Sequence, residues 1–465
     1  MKQTKITENP SERRVKDSTN VWKNKALSRG SENIILRKRI KELTISRDLW
    51  KAKYKTSGLS QANSDVLMGE KADRHQYGSS LVCLLLEMQK YGAMSLRSCR
   101  NSVACMLVAL GLSVRLPSHS TIRNWLCKGG LHRIKTTESV GGEYVVYVDE
   151  SIVFGSEKIL LILGVPTARI NATRALTHSD MEVLYVGANV EWKSEHIAAE
   201  LVKIAKKKPI LYAVSDEGNN LCGAYKSFQC THIADCTHVL ANHLKRLYQK
   251  DADFEAFRKL IGRLRKQWNL SKANSRYMPP TMRGKMRFAN IFPCVYWAQL
   301  RLAEWDNLSE SVQQSLVFLK EKAGLIDSLA IVSAVFKTTC ATLKNEGFGT
   351  EQKASILSEL ATISASTTDG KAGVFIQNCK DYLAYLDSKN TLLKQIHLLV
   401  SSDIIESFFG KFKTKINANN RTGLTEFLFT IANFSQSFSV EETKKALETI
   451  KLKDIKLSKK REKVA

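Results

Sequence analysis

Residues 144–150 read YVVYVDE: Tyr144, Val145, Val146, Tyr147 and Val148, then Asp149 and Glu150. A continuous apolar run with no polar alternation predicts a strand covered on both faces. A carboxylate at the end of such a strand is costly unless it reaches the sheet rim, finds a partner or holds a metal. Asp149 is therefore the first functional candidate. The fold turns on which strands flank it.

Reading on, Lys158–Val165 (KILLILGV) and Glu182–Val190 (EVLYVGANV) predict a second and a third strand. A helix over Glu195–Lys207 is stopped by Pro209. Ile210–Val214 (ILYAV) then predicts a fourth strand, which also runs into acids, Asp216 and Glu217. A short helix from Asn219 and a short strand over Thr231–Ala234 follow, and Asp235, Cys236, Thr237 and His238 open a long helix towards Gln249. Three strands, helix, strand, helix, strand is the order of an α/β ribonuclease H-like core, a mixed five-stranded sheet flanked by helices. Its first and fourth strands are neighbours, so Asp149 and Asp216 are expected side by side. Two carboxylates held that close repel unless a divalent cation lies between them.

Beyond this core, residues 251–398 read as an all-helical insertion containing a basic break, PPTMRGKMRFAN. Residues 401–413, SSDIIESFFGKFK, predict a helix capped by Ser401 or Ser402, with Asp403 and Glu406 in its opening turns. Ile404, Ile405, Phe408, Phe409 and Phe412 form its buried side, and Lys411, Lys413 and Lys415 line the following turns. Residues 399–440 close the core and 441–465 form a basic tail. Upstream, residues 1–60 form a basic segment in which Leu36, Ile40, Leu43, Arg47, Trp50 and Tyr54 alternate four and three apart, a short heptad seam for dimerising or docking. Residues 77–135 read as a helical, helix-turn-helix-like DNA-binding domain. Its last helix presents Ser120, Thr121, Arg123, Asn124 and Lys128, buries Ile122 and Trp125, and stops at Gly129–Gly130.

The whole chain of 465 residues carries 71 Lys and Arg against 45 Asp and Glu, a net charge of +26. Spread along the chain, this excess points to a polyanionic partner, double-stranded DNA first. The ten cysteines contain no CxxC pair, and most of them read as reduced core thiols. Apolar runs fall short of the ~20 residues a membrane span needs, so a cytoplasmic, nucleoid-associated protein is expected, nuclear in a eukaryotic host.

Asp149, Asp216 and Glu406 form the candidate catalytic and metal-binding triad, suited to two Mg²⁺ ions, with Mn²⁺ able to substitute. Taken singly, each acid also reads as a cap, a turn residue or a solvated helix charge; their placement at strand ends and a helix start joins them. The stretches YVVYVDES, YAVSDEGNN and SSDIIESFFGKFK, with DCTHVLANHLK between the second and third, resemble the DDE transposases of bacterial insertion sequences. The resemblance implies a ribonuclease H-like core interrupted by a helical insertion, binding of terminal inverted repeats, cleavage at element ends and joining of 3′-OH ends to target DNA. It also implies an active dimer or higher synaptic oligomer. Asp235 and His238 match that family's [C/D]-x-x-H signature and become accessory site residues. One branch of the family has Tyr and Arg where this chain has Leu399 and Ser402, although Lys413 stands at that branch's Lys position, so that branch is not assigned. Arg283, Lys285 and Arg287, with Lys411, Lys413 and Lys415, are candidate phosphate contacts, and Trp297 is either a base-stacking platform or core. A structure-selective nuclease or resolvase, or a catalytically silent DNA-binding regulator, are the alternatives.

Overall fold

The computed structural model describes residues 22, 26, 29–30, 32–34, 36–49, 68–92, 94–112, 114–136, 142–154, 157–271, 274–281, 289–365, 367–395, 397–417 and 427–455. The chain divides into two compact units, 1–69 with 101–116 and 70–100 with 117–465. In the first, residues 36–49 are helical and exposed throughout.

The second unit is mixed α/β and mostly helical, built on one five-stranded sheet. Its strands are β1 (Tyr144–Phe154), β2 (Glu157–Pro166), β3 (Glu182–Asn189), β4 (Ile210–Ser215) and β5 (His232–Ala234). Their spatial order is β3-β2-β1-β4-β5, with β3, β2 and β1 antiparallel and β1, β4 and β5 parallel. Valine and tyrosine dominate the first half of β1, and leucine and isoleucine dominate β2, as a sheet buried on both faces requires. On one face Tyr144, Val146 and Val148 pack with Trp192 and with the helices α4 (Ser194–Ala205) and α5 (Asn219–Phe228). Val145, Tyr147 and Asp149 point to the other face, because side chains alternate along a strand.

β1 does not end at its acids. Antiparallel pairing with β2 carries it on to Phe154, with Asp149 opposite Leu161, whereas parallel pairing with β4 stops at Tyr147 opposite Val214. Asp149 and Asp216 each lie two residues beyond that last pair, at one level of neighbouring strands.

Before β1 the second unit contains α1 (Ser79–Tyr91) and α3 (His119–Thr136), and α2 (Leu96–Ala109) runs from its residues into those of the first unit. Ser118 caps α3, its Oγ accepting the Thr121 N–H at 3.1 Å. Contrary to expectation, Gly129 and Gly130 do not stop this helix. They let it approach a 3₁₀ helix, Leu428–Phe434: a Cβ on Gly130 would lie 1.9 Å from the Phe429 carbonyl oxygen. α1 and α3 thus pack within the unit that carries the sheet rather than in a separate domain over 77–135.

After β5 come α6 (Cys236–Tyr248), α7 (Ala252–Ser271), α8 (Phe292–Ala303), α9 (Glu310–Glu321), α10 (Ala323–Asn345), α11 (Thr350–Ala365) and α12 (Gly370–Leu393). By length and composition α10 is apolar enough to cross a membrane, which the sequence reading did not expect. Here it is a core helix: Ile326, Leu329, Val332, Val335, Phe336 and Leu343 are buried where it meets α6, α8, α11 and α12. Two stacked tyrosines on α12 fasten this layer to the sheet edge, Tyr382 donating to the Ala234 carbonyl at 2.8 Å and Tyr385 to that of His232 at 3.0 Å. The chain then enters α13 (Asp403–Asn417), which packs on β1, and later α14 (Val440–Thr449), which packs on α1 and α3. Cys105 is exposed, Cys222 and Cys230 are half-buried, and the other cysteines are buried; all are free thiols.

Candidate active site

Asp149 sits half-buried where the β4 ladder has ended, and the Glu150 N–H donates to its Oδ1 at 2.7 Å. Burial, and then the negative charge of Asp216, lift its carboxyl to about 7. Asp216 turns at the mouth of the β4–α5 loop, with Oδ1 accepting the Gly218 N–H at 3.0 Å. Glu406 stands one turn into α13, 55% exposed, with its carboxyl raised by partial burial against the pull of His238.

His238 and Asp235 complete the arrangement. Asp235 caps α6, accepting the His238 N–H at 2.8 Å, and the His238 Nδ1–H reaches the same Oδ1 at 3.0 Å. That hydrogen bond pushes the imidazole up to about 9, against the cost of burying it. Burial disfavours the Asp235 carboxylate, yet His238 and the Ser402 N–H hold it below its ordinary range. His238 Nε2 lies 4.0 Å from Glu406 Oε1. Asp235 Oδ2 meanwhile accepts from the Ser402 N–H at 2.6 Å and the Ser402 Oγ–H at 3.0 Å. One buried carboxylate therefore ties the start of α6 to the start of α13. Ser402, expected as a helix cap, spends its hydroxyl on Asp235 instead. Lys344, at the end of α10, anchors the same helix start by pairing with Asp403 at 2.6 Å.

The three acids of the candidate triad thus face one region, near enough for Asp216, Glu406 and His238 all to act on the Asp149 charge. Their carboxylates are not gathered: among the described residues no three His, Cys, Asp or Glu side chains form a metal-holding group. The donor chemistry nevertheless fits a hard divalent cation. The oxygens belong to carboxylates, and a cation would offset both the burial and the Asp216 charge that raise Asp149.

The basic candidates divide. On α3, Ser120 is exposed, and Thr121, Arg123 and Asn124 are half-buried. Lys128 is buried and donates to the Leu447 carbonyl at 3.0 Å, because it follows Trp125 by one turn on the inward face. It is not available to DNA. On α13, Lys411 is exposed with Nζ 3.4 Å from His178 Nδ1, and Lys413 lies over the Phe409 ring. Lys415 is buried, donating to the Gln89 and Gly92 carbonyls at the end of α1. It shares the face of Phe408 and Phe412, spaced seven and three before it, a helical signal present in the sequence. Trp297 is core, its Nε1–H bonded to the Tyr277 carbonyl at 2.9 Å. Arg283, Lys285 and Arg287 lie outside the described residues.

Two features escaped the sequence reading. His178, before β3, packs against Phe408 with ring centroids 4.6 Å apart, and burial followed by Lys411 lowers its imidazole to about 4. The same loop carries Arg174, whose guanidinium forks onto Asp180 at 2.7 and 2.8 Å. Arg174 lines a cleft with Tyr147, Lys344, Ser401 and Asp403, on the Asp149 side of β1. No spacing in the sequence links this loop to α13, since the contact depends on how the helix crosses the sheet. Compared with known proteins, the chain matches no family model and no curated protein.

Proposed function

We propose that this chain is a DNA transposase with a ribonuclease H-like core, cutting element ends and joining their 3′-OH groups to target DNA. The observation that carries the reading is the placement of Asp149 and Asp216, each two residues past the last β1–β4 pair, with burial and the charge of Asp216 lifting Asp149 to about 7. The strand order and directions agree with that core. A net charge of +26 suits a DNA substrate.

Asp149, Asp216 and Glu406 would hold the divalent cations. Such ions supply charge stabilisation for in-line phosphoryl transfer and activate water or a 3′-OH. The chain's own residues do the rest. Asp235 keeps His238 protonated at neutral pH and aims its Nε2–H towards the Glu406 side of the site, where it meets a phosphate oxygen. Ser402 and Lys344 fix the start of α13, and with it Glu406. Exposed Lys411 contacts the DNA backbone.

The test uses the full chain, Mg²⁺ and labelled duplexes carrying the DNA that flanks its own gene, with a supercoiled plasmid as target. Joined products that vanish in Asp149→Asn, Asp216→Asn and Glu406→Gln are expected. Cleavage of branched duplexes without joining assigns a nuclease instead. Duplex binding with no cleavage under any divalent cation assigns a regulator.

A further inference from the structure

His238 is the first member of a row. It stands in the opening turn of α6 with its side chain 29% exposed, and Asn242, Lys245 and the capping residue Gln249 follow four, three and four residues apart, all exposed. That spacing keeps to one face of a helix, and the row covers about 16 Å of its axis. The opposite face is spent on packing: Cys236, Leu240, Leu244 and Tyr248 are buried where α6 meets α10 and α12. We infer that the outer face of α6 is a track for the phosphodiester backbone of one DNA strand running out of the candidate site.

Charge along this helix has one sign. Residues 236–250 contain two histidines, two lysines and an arginine, and no Asp or Glu. Arg246 acts on His243, as do Glu217 and Asp381 from neighbouring elements, so acids stand on that flank of the helix. Lys245 differs. Among the described residues no ion pair engages it, whereas Lys259 on α7 is held by Glu255 at 3.7 Å and Lys344 by Asp403 at 2.6 Å. A free ammonium between two side-chain amides suits a nucleic-acid backbone: the cation answers the phosphate charge, and Asn242 and Gln249 donate to its oxygens without reading bases. The row is continuous with the site, because Asp235 joins the start of α6 to the start of α13, and His238 Nε2 lies 4.0 Å from Glu406 Oε1. A strand held at His238 therefore meets Lys245 about 10 Å farther along the helix. The inference rests on the DNA reading above and adds the path that the substrate takes.

The experiment follows binding of the full chain to the labelled duplexes of the joining assay, by fluorescence anisotropy over a salt series with Ca²⁺ in place of Mg²⁺. Lys245→Ala should reduce the salt slope by about 1. Lys245→Glu should raise Kd by more than about tenfold. Lys259→Glu makes the same charge change on α7 and should stay within about twofold of the unaltered chain, because charges beyond a Debye length are screened. Circular dichroism checks that each variant folds. Photocrosslinkers placed at positions 242 and 249 should label the same DNA strand. An unchanged slope in Lys245→Ala, equal loss in Lys259→Glu, or crosslinks divided between the strands overturns the track, and joining by the unaltered chain would still uphold the transposase reading. Absence of duplex binding by the unaltered chain overturns both.

Discussion

Asp149 lies where two ladders part, and its properties follow from that position. β2 holds the strand extended on one side while β4 has already ended on the other, so the carboxylate is half-buried beside a second negative charge. Asp149→Asn should therefore abolish joining while raising the melting temperature in EDTA at alkaline pH by about 1–3 °C; calorimetry and the joining assay read the two effects separately. Asp180 shows the opposite case. The Arg174 fork holds its carboxyl down to about 2, from a usual value of 3.8. Its contribution to stability is complete above the usual value and disappears as pH falls through about 2. Asp180→Asn should lower the melting temperature at neutral pH and leave it unchanged at pH values below both, which a pH series of thermal melts checks.

Helices carry the main corrections. The double glycine in α3 looks like a stop signal by local rules, yet the backbone runs on because the Phe429 carbonyl needs the space a Cβ would fill. Gly130→Ala should destabilise the protein by about 1–3 kcal/mol through overpacking, outweighing the ~1 kcal/mol helix-propensity gain of alanine; denaturant midpoints decide the sign. On α13 the three lysines separate by face. Lys411→Ala should weaken DNA binding and reduce the salt slope by about 1, with no change in melting temperature. Lys415→Ala should cost about 1–3 kcal/mol by leaving carbonyls at the end of α1 without their donor. A salt titration beside a thermal melt distinguishes the two.

Over the whole molecule, charge and topology act separately. If the chain binds DNA as proposed, an excess of +26 should make that binding strongly salt-dependent. For six or more phosphate contacts, affinity should fall about a thousandfold or more between 50 and 200 mM salt, which fluorescence anisotropy measures. The helical layer contributes positioning: Lys344 of α10 and the tyrosines of α12 brace α13 and β5, the elements that carry Glu406 and lead into Asp235 and His238. Asp235, buried, joins the start of α6 to the start of α13 through its two oxygens.

From the sequence alone came the strands and their order, because buried strands and amphipathic helices announce themselves through hydrophobic period. That the first and fourth strands are neighbours, with Asp149 near Asp216, came from the likeness of that order to a ribonuclease H-like core. The inward face of Lys415 is also written locally, in its spacing of seven and three residues from Phe408 and Phe412. What only the tertiary structure decided was contact between distant segments: the continuation of β1 past its acids, the passage of α3 through Gly129–Gly130, the use of Ser402 by Asp235, and His178 against α13. Each depends on which surfaces meet after the chain has folded, and no periodicity within a single segment encodes the partner it will meet.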